Sequence, residues 1–504
     1  MLPPLGADFE ATEKGGSAMR SGADYRQSLH NGRNIWVMGE GQVADMSAHS
    51  ATGAVVEEYV QWYDRHADPA WADRLLAPDG TPQSAVLPRS AADLRGMGRS
   101  FAATTFQNAG NITHTPAYGS LIALGLETTV RAYGRFPADI AQAAAYRDQI
   151  AVSGRFLTFC AGHPTIGSRL KPDPADRQAL RLVRETEAGL IVTGKIGMHT
   201  SPAYAEDIFV GAGSGLEIDG HRATLVVPVN APGVTVVCRK PAAREANPFA
   251  APWSSRFDEL DGQLWLDEVF VPHERVFRLD ANIDPIARWL FWHQLICWLS
   301  KAEFALGLAL ACADAMGLRQ HPQTVDLLMD IVTAVQTARS CVTAAELDPQ
   351  FTPEGYCYPN HNHIAAGSIA MLKARQSITE TLRVLPGSSL VVAPTDTDLA
   401  DPTMAAGLAE SFGGGGYTAL QRAALLQATW DHASSALDGR ESAFELHANG
   451  GIPVWRGRLR RSFTDYDTLA NAVLGMLSVP MPTVDFSAMR EAPVAPRRPV
   501  TPGG

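Results

Sequence analysis

The chain has 504 residues, 46% of them hydrophobic and 19% charged, and carries a net charge of −11 from 53 acidic and 42 basic side chains. That length is too great for one simple core, so two or three packed units are expected. The acidic balance argues against a nucleic acid or an anionic membrane as partner, because neither surface attracts such a chain.

Residues 1–22 mix Pro, Gly and charge without period and read as a disordered leader, with no basic and apolar secretion signal. From Asp24 a short helix, a turn at Asn31-Gly32 and a brief strand open a helical domain over 23–155, with helical patterns at 55–66, 91–95, 118–132 and 137–152. Over 156–280 the character changes. The runs LIVTG, ATLVVPV, VTVVCR and WLDEVFV, separated by Gly, Pro, Asn and Asp, predict a central antiparallel β domain. Helix returns over 281–480, with patterns at 324–347, 364–385, 404–410, 418–437 and 468–476, before a loose Pro-rich tail at 481–504. No GxGxxG follows a strand, and no repeat of solenoid length is visible. Six scattered cysteines without a CxxC pair fit a cytoplasmic protein with free thiols.

The stretch 287–316, ARWLFWHQLICWLSKAEFALGLALACADAM, is apolar and long enough to span a bilayer, yet Arg288, His293, Lys301, Glu303 and Asp314 interrupt it. At 3.6 residues per turn, Cys297, Ser300, Lys301 and Phe304 fall within about 80° of His293. This predicts the central helix of a bundle with a polar stripe. His293 then either faces a cavity or is a core histidine satisfied by a backbone carbonyl. His361-Asn362-His363 lacks a third ligand and reads as a solvated loop, and Gly413 to Gly416 as a loop between helices.

Several words of the sequence are more specific. MGRS (97–100), ETEAGLIVTG (185–194), VPVNAPGVTVVCR (227–239), WSSRFDELDGQLWLDEVFVPHERVF (253–277), ALQRAALLQATWD (419–431) and LDGRESAFELHANGG (437–451) resemble, in this order, the 4-hydroxyphenylacetate 3-monooxygenase family. This family of oxygenase components is related to the chlorophenol monooxygenases and to 4-hydroxybutyryl-CoA dehydratase. The resemblance implies an α+β, acyl-CoA-dehydrogenase-like fold: N-terminal helices, a central β domain and a C-terminal four-helix bundle, assembled as a homotetramer or homodimer. It further implies FAD, used as FADH2 supplied by a separate NAD(P)H-dependent flavin reductase, and hydroxylation of an aromatic or heteroaromatic substrate through a flavin C4a-hydroperoxide.

The resemblance also implies site residues. Arg99 matches an arginine of the substrate pocket, suited to a phenolate or carboxylate. Ala103 stands where the hydroxyphenylacetate branch has a tyrosine, and Phe159 or Cys160 where it has a histidine, with His163-Pro164-Thr165 in place of an Asn-Pro-Pro segment. Two members of that pocket are thus replaced, which points to a substrate other than a simple phenol. His293 matches the base of the chlorophenol branch. Ala103 and Ser300 fall where the dehydratase has cluster cysteines, so no iron-sulfur cluster is expected. Arg169 matches an arginine near the FAD phosphates, His199-Thr200-Ser201 the place of a threonine beside the isoalloxazine, and His447-Ala448-Asn449-Gly450 a loop touching FAD. Arg440 is retained from a pocket word. The alternatives are an acyl-thioester dehydrogenase or dehydratase-like enzyme without a cluster, and a flavin-fold partner without activity.

Overall fold

The structure, a computed structural model, describes residues 19–134, 136–160, 162, 178–242, 247–279, 288–447 and 450–490. The chain begins with α1 (Gly22–Ser28), β1 (Ile35–Val37), β2 (Gly41–Val43), α2 (Gly53–Asp64), α3 (Ala72–Leu75), α4 (Ala91–Gln107), α5 (Pro116–Tyr133) and α6 (Pro137–Ser153). α4 starts in a capping box, Ser90 with Asp93, and runs twelve residues past the predicted 91–95. Its two glycines weaken the pattern in the sequence. Burial of Leu94, Met97, Phe101, Thr104 and Thr105 along one face overrides that preference. The end of the expected leader is part of the fold rather than disordered. Arg20 bridges Tyr63 and Glu206, and α1 starts at Gly22. Residues 1–18 lie outside the described residues.

The middle of the chain forms β3 (Leu157–Cys160), β4 (Arg181–Thr186), β5 (Gly189–Thr200), β6 (Asp207–Val210), β7 (Glu217–Ile218), β8 (His221–Pro228), β9 (Val234–Cys238), β10 (Asp261–Pro272) and β11 (Val276–Leu279). One sheet runs β2-β1-β9-β10-β5-β4 and the other β11-β8-β6-β3, with β7 on β8. Pairing is antiparallel except for β1 with β9 and β3 with β6. Both parallel pairs join strands distant in sequence, a pairing that no hairpin signal announces. The N-terminal region is therefore not wholly helical, since β1 and β2 complete a sheet edge.

The remainder is helical: α7 (Leu290–Ala315), α8 (Pro322–Leu347), α9 (His361–Val384), α10 (Asp396–Ala400), α11 (Ala405–Phe412), α12 (Ala419–Ala433), α13 (Ala436–His447), α14 (Gly451–Ser462), α15 (Tyr466–Leu474) and α16 (Ser487–Arg490). A hairpin, β12 (Gln350–Phe351) with β13 (Cys357–Tyr358), joins α8 to α9. α7, α8, α9 and α12 pack as a four-helix bundle. The approach is close at Gly367 of α9, where a Cβ would lie 2.7 Å from Leu295 Cδ2 and 2.8 Å from Cys341 Cβ. α7 is long and apolar enough to cross a membrane, but most of it is buried among α4, α8, α9 and α12. His361-Asn362-His363 is the first turn of α9 rather than a loop, because the Asn360 side chain caps the helix. The Pro-rich tail packs in part: Asn471 exchanges hydrogen bonds with Val484, and α16 lies against α14. The architecture is α+β, in the expected order of helices, β unit and helical bundle.

Candidate active site

The polar stripe of α7 organises the site. His293 is 3% exposed. Its ring meets Phe101 edge-on at 4.9 Å and Tyr118 at 5.4 Å, and its Nδ1 lies 3.6 Å from Cys297 Sγ. Burial pushes the imidazole down to about 3, so it is neutral at physiological pH. One face of α4 supplies the wall, with Phe101 and Thr105, whose hydroxyl lies 3.7 Å from Cys297 Sγ. Ser300 donates to the Ala102 carbonyl, which ties α7 to α4.

Residues 108–115 link α4 to α5 and bring a second imidazole to the first. Asn108 folds this loop by accepting from Ile112 N and donating to Ile112 O. Gly110, at φ 74°, lets the backbone lie against Lys301, where any Cβ would collide. The loop delivers His114 to within 4.1 Å of the Tyr118 ring. His114 is pushed down to about 3 by burial and then by the neighbouring His293 and Arg440.

Beneath the loop, Glu259 collects donors: Thr113 N at 3.1 Å, His114 N at 2.9 Å, Ser201 Oγ at 2.8 Å and Tyr59 OH at 3.4 Å. Burial still raises its carboxyl to about 7. Ser201 holds φ 60° at the end of β5, a conformation that costs a non-glycine residue and that Glu259 fixes. Next to it, Thr200 donates to Asp261 at 2.9 Å. His199 donates Nδ1–H to Gly197 O at 2.7 Å, and its Nε2 is buried with no partner among the described residues. Burial lowers His199 to about 4, which leaves that nitrogen an acceptor.

Ionic pairing begins at Asp261, where β10 starts. Arg440 Nε reaches it at 2.7 Å and Arg239 Nε at 3.0 Å. Although burial opposes it, these cations hold the carboxyl at about 2. Arg440 also binds Glu441; Glu441 takes Lys301 Nζ at 2.6 Å, Lys301 reaches Glu445 at 3.0 Å, and Glu445 binds Arg375 at 2.5 Å. An unbroken line of alternating charge thus runs from the β sheet through α13 and α7 to α9.

His293, His199, Thr200, Ser201 and Arg440 are brought together around Asp261, Glu259 and His114. Each nitrogen of Arg440 already serves a protein carboxylate, so this residue positions the site instead of standing free for substrate. Arg99 is exposed on α4, roughly 160° around the helix from Phe101 and away from the His293 wall. Ala103 is half-buried on α4. Phe159, on β3, stacks on Phe209 at 5.9 Å and packs over Gly211. His447 ends α13 exposed, with Nδ1 bound to Ala443 O, and Gly450 caps α14 at φ 89°. Arg169, Ala448, Asn449 and His163-Pro164-Thr165 lie outside the described residues. Sequence reasoning missed His114, Tyr118, Glu259 and Asp261. The signal for the last two was the word FDELDG, with three carboxylates in four residues leading into a strand.

Among the described residues the acceptor on His199 and the buried amide nitrogen of Asn111 in the 108–115 loop have no partner, and they fit a heteroaromatic ring rich in N–H and C=O groups. An isoalloxazine is such a ring, and neutral imidazoles and aromatic walls suit its apolar faces.

Comparison with known proteins agrees. Residues 21–278 match the family profile described as 4-hydroxyphenylacetate 3-hydroxylase N terminal, and residues 285–475 the corresponding C-terminal profile. The chain is 27% identical over 500 residues, 91% of each chain, to the oxygenase component of a 4-nitrophenol 4-monooxygenase/4-nitrocatechol 2-monooxygenase of Rhodococcus opacus. It is 25% identical to the 4-hydroxyphenylacetate 3-monooxygenase oxygenase component of Thermus thermophilus, over 84% of this chain and 91% of that one. A crystal structure of such a component complexed with FAD superposes with TM-score 0.82 at 22% identity, covering 90% of this chain and 98% of that one, a likeness of fold. With both profiles matched in order along nearly the whole described fold, the chain belongs to the 4-hydroxyphenylacetate 3-hydroxylase family.

Proposed function

We propose that the chain is the oxygenase component of a two-component monooxygenase that uses FADH2 to hydroxylate an aromatic or heteroaromatic substrate. The observation that carries this reading is the enclosed neutral imidazole of His293, walled by Phe101 and Tyr118, with His114 between it and a His199 whose Nε2 has no partner among the described residues. FADH2, when bound, supplies the activated oxygen. His293 takes the proton of the substrate hydroxyl and so makes the ring carbon a better nucleophile. Phe101, Tyr118 and Trp292 exclude water. Glu259 holds the 108–115 loop and Ser201 in register, and Asp261 with Arg440 fixes the end of β5 against α13. His199, Thr200 and Ser201 receive the flavin ring. Arg99, exposed on the outer face of α4, draws an anionic substrate toward the protein. An NAD(P)H-dependent reductase supplies the flavin, and the protein works in the cytoplasm as a homotetramer or homodimer.

The test is anaerobic binding of FADH2 to the purified protein, followed by rapid mixing with oxygenated buffer while flavin absorbance is recorded. A transient species distinct from both reduced and oxidised FAD, decaying faster with a hydroxylated aromatic, is the expected result. Tight binding without the transient refutes the oxygenase in favour of a dehydrogenase, and absence of binding refutes a flavin enzyme.

A further inference from the structure

Glu346, near the end of α8, is a buried carboxylate that the scheme above leaves unused. It is 7% exposed and accepts one hydrogen bond, from Trp292 Nε1 at 3.1 Å. A buried carboxylate ordinarily collects several donors or a cation, as Asp261 and Glu441 do in this same chain. Arg95 and Arg99 of α4 lie near enough to act on it electrostatically, yet among the described residues neither forms an ion pair with it. Burial raises the carboxyl to about 7 in spite of them.

Its position ties it to the site. Trp292 precedes His293 on α7, and Phe101 stands edge-on to both rings, at 5.5 Å and 4.9 Å. The carboxylate sits over Gly98, where a Cβ would be 2.5 Å from Oε1, so α4 has given up a side chain to admit it. Glu346 thus occupies the corner of α4, α7 and α8 between the His293 wall and the exposed Arg99.

We propose that Glu346 is the specificity-determining residue of the substrate pocket and that it selects aromatic substrates whose side chain carries a basic amine. The ammonium group supplies the donors that Glu346 lacks, and a side-chain carboxylate in the same place meets repulsion. This rests on the oxygenase reading, in which the ring lies against His293.

Tyramine and 4-hydroxyphenylacetate carry the same phenol ring with opposite side-chain charges. Their binding to the full chain loaded anaerobically with FADH2, and to the chain alone, is to be measured by equilibrium dialysis at pH 8, where the Glu346 carboxyl is ionised. The expected result is tyramine tighter by about tenfold or more, with the ratio falling to about one in E346Q while FADH2 affinity stays within about twofold. Tighter 4-hydroxyphenylacetate would give the selection to Arg99 and overturn the proposal, as would a tyramine preference that persists in E346Q. Should E346Q fail to bind FADH2, the ratio measured on flavin-free E346Q against the flavin-free wild type decides. Failure of the wild type to bind FADH2 would instead strike the oxygenase reading, and the dialysis ratio of the flavin-free chain would still judge Glu346.

Discussion

Two turns of α7 separate His293 from Lys301, and both are buried to about the same depth, yet their surroundings are opposite in kind. His293 sits among rings and has lost its proton to desolvation alone. Lys301 sits between Glu441 and Glu445, in a line of charge where every carboxylate has a cation within 3.0 Å. The difference teaches how one buried helix serves two ends. A group without a counter-ion gives up its charge, whereas a group with one keeps its charge and fastens elements together.

The comparison breaks most severely at His293. His293→Asn keeps a neutral polar group but removes the acceptor nitrogen, so hydroxylation is expected to fall by about 10²–10⁴ while FADH2 binding holds. Product yield per FADH2 oxidised measures this; an unchanged yield would remove His293 from proton transfer.

At the other end of the contrast, Arg440→Ala leaves Asp261 and Glu441 each with one cation fewer in a buried setting. A loss of about 3 kcal/mol or more in unfolding free energy is expected, read from denaturant midpoints at constant m. A loss under about 1 kcal/mol would mean that Arg239 and Lys301 suffice.

The imidazole side predicts a pH dependence. Burial lowers His432 from 6.5 to about 3, with Lys301 and Arg375 adding to it, and His293 and His114 behave alike. Between pH 6.5 and 3 the unfolded chain binds protons that the folded chain refuses, so stability falls as pH falls through that window, by up to about 1.4 kcal/mol per pH unit for each such group. Glu259 opposes them between 4.5 and about 7, where the folded chain binds the extra proton. His432→Phe is expected to reduce the slope between pH 6 and 4 by about 1.4 kcal/mol per pH unit; an unchanged slope would show that His432 is protonated when folded.

Much of the scaffold was legible in the sequence because helices and strands declare their period locally. α7 shows this: its apolar length, its polar stripe and the place of His293 all follow from spacing. α4 was cut short because Gly96 and Gly98 weaken the local signal, while the cause of those glycines, Gln83 at one and Trp292 with Glu346 at the other, is distant in the chain. The same reason hid Glu259 and His114. Neither has a motif, and each acquires meaning only where β10, β5 and the 108–115 loop converge. Arg440 was legible as a word but not as a bridge, because the partner that occupies it, Asp261, lies 179 residues away.

The smallest expected effect isolates burial from geometry. Arg26 and Glu57 meet at 2.6 Å, the same separation as Lys301 and Glu441, but their side chains are 43% and 47% exposed against 7% and 2%. Water already solvates both ions in the first pair, so joining them gains little and fixing two long side chains costs entropy. Arg26→Gln is accordingly expected to change stability by less than about 0.5 kcal/mol, with most of that removed by added salt. A loss comparable with that of Arg440→Ala would mean that distance, not desolvation, sets the strength of these pairs, and the contrast between His293 and Lys301 would lose its physical basis.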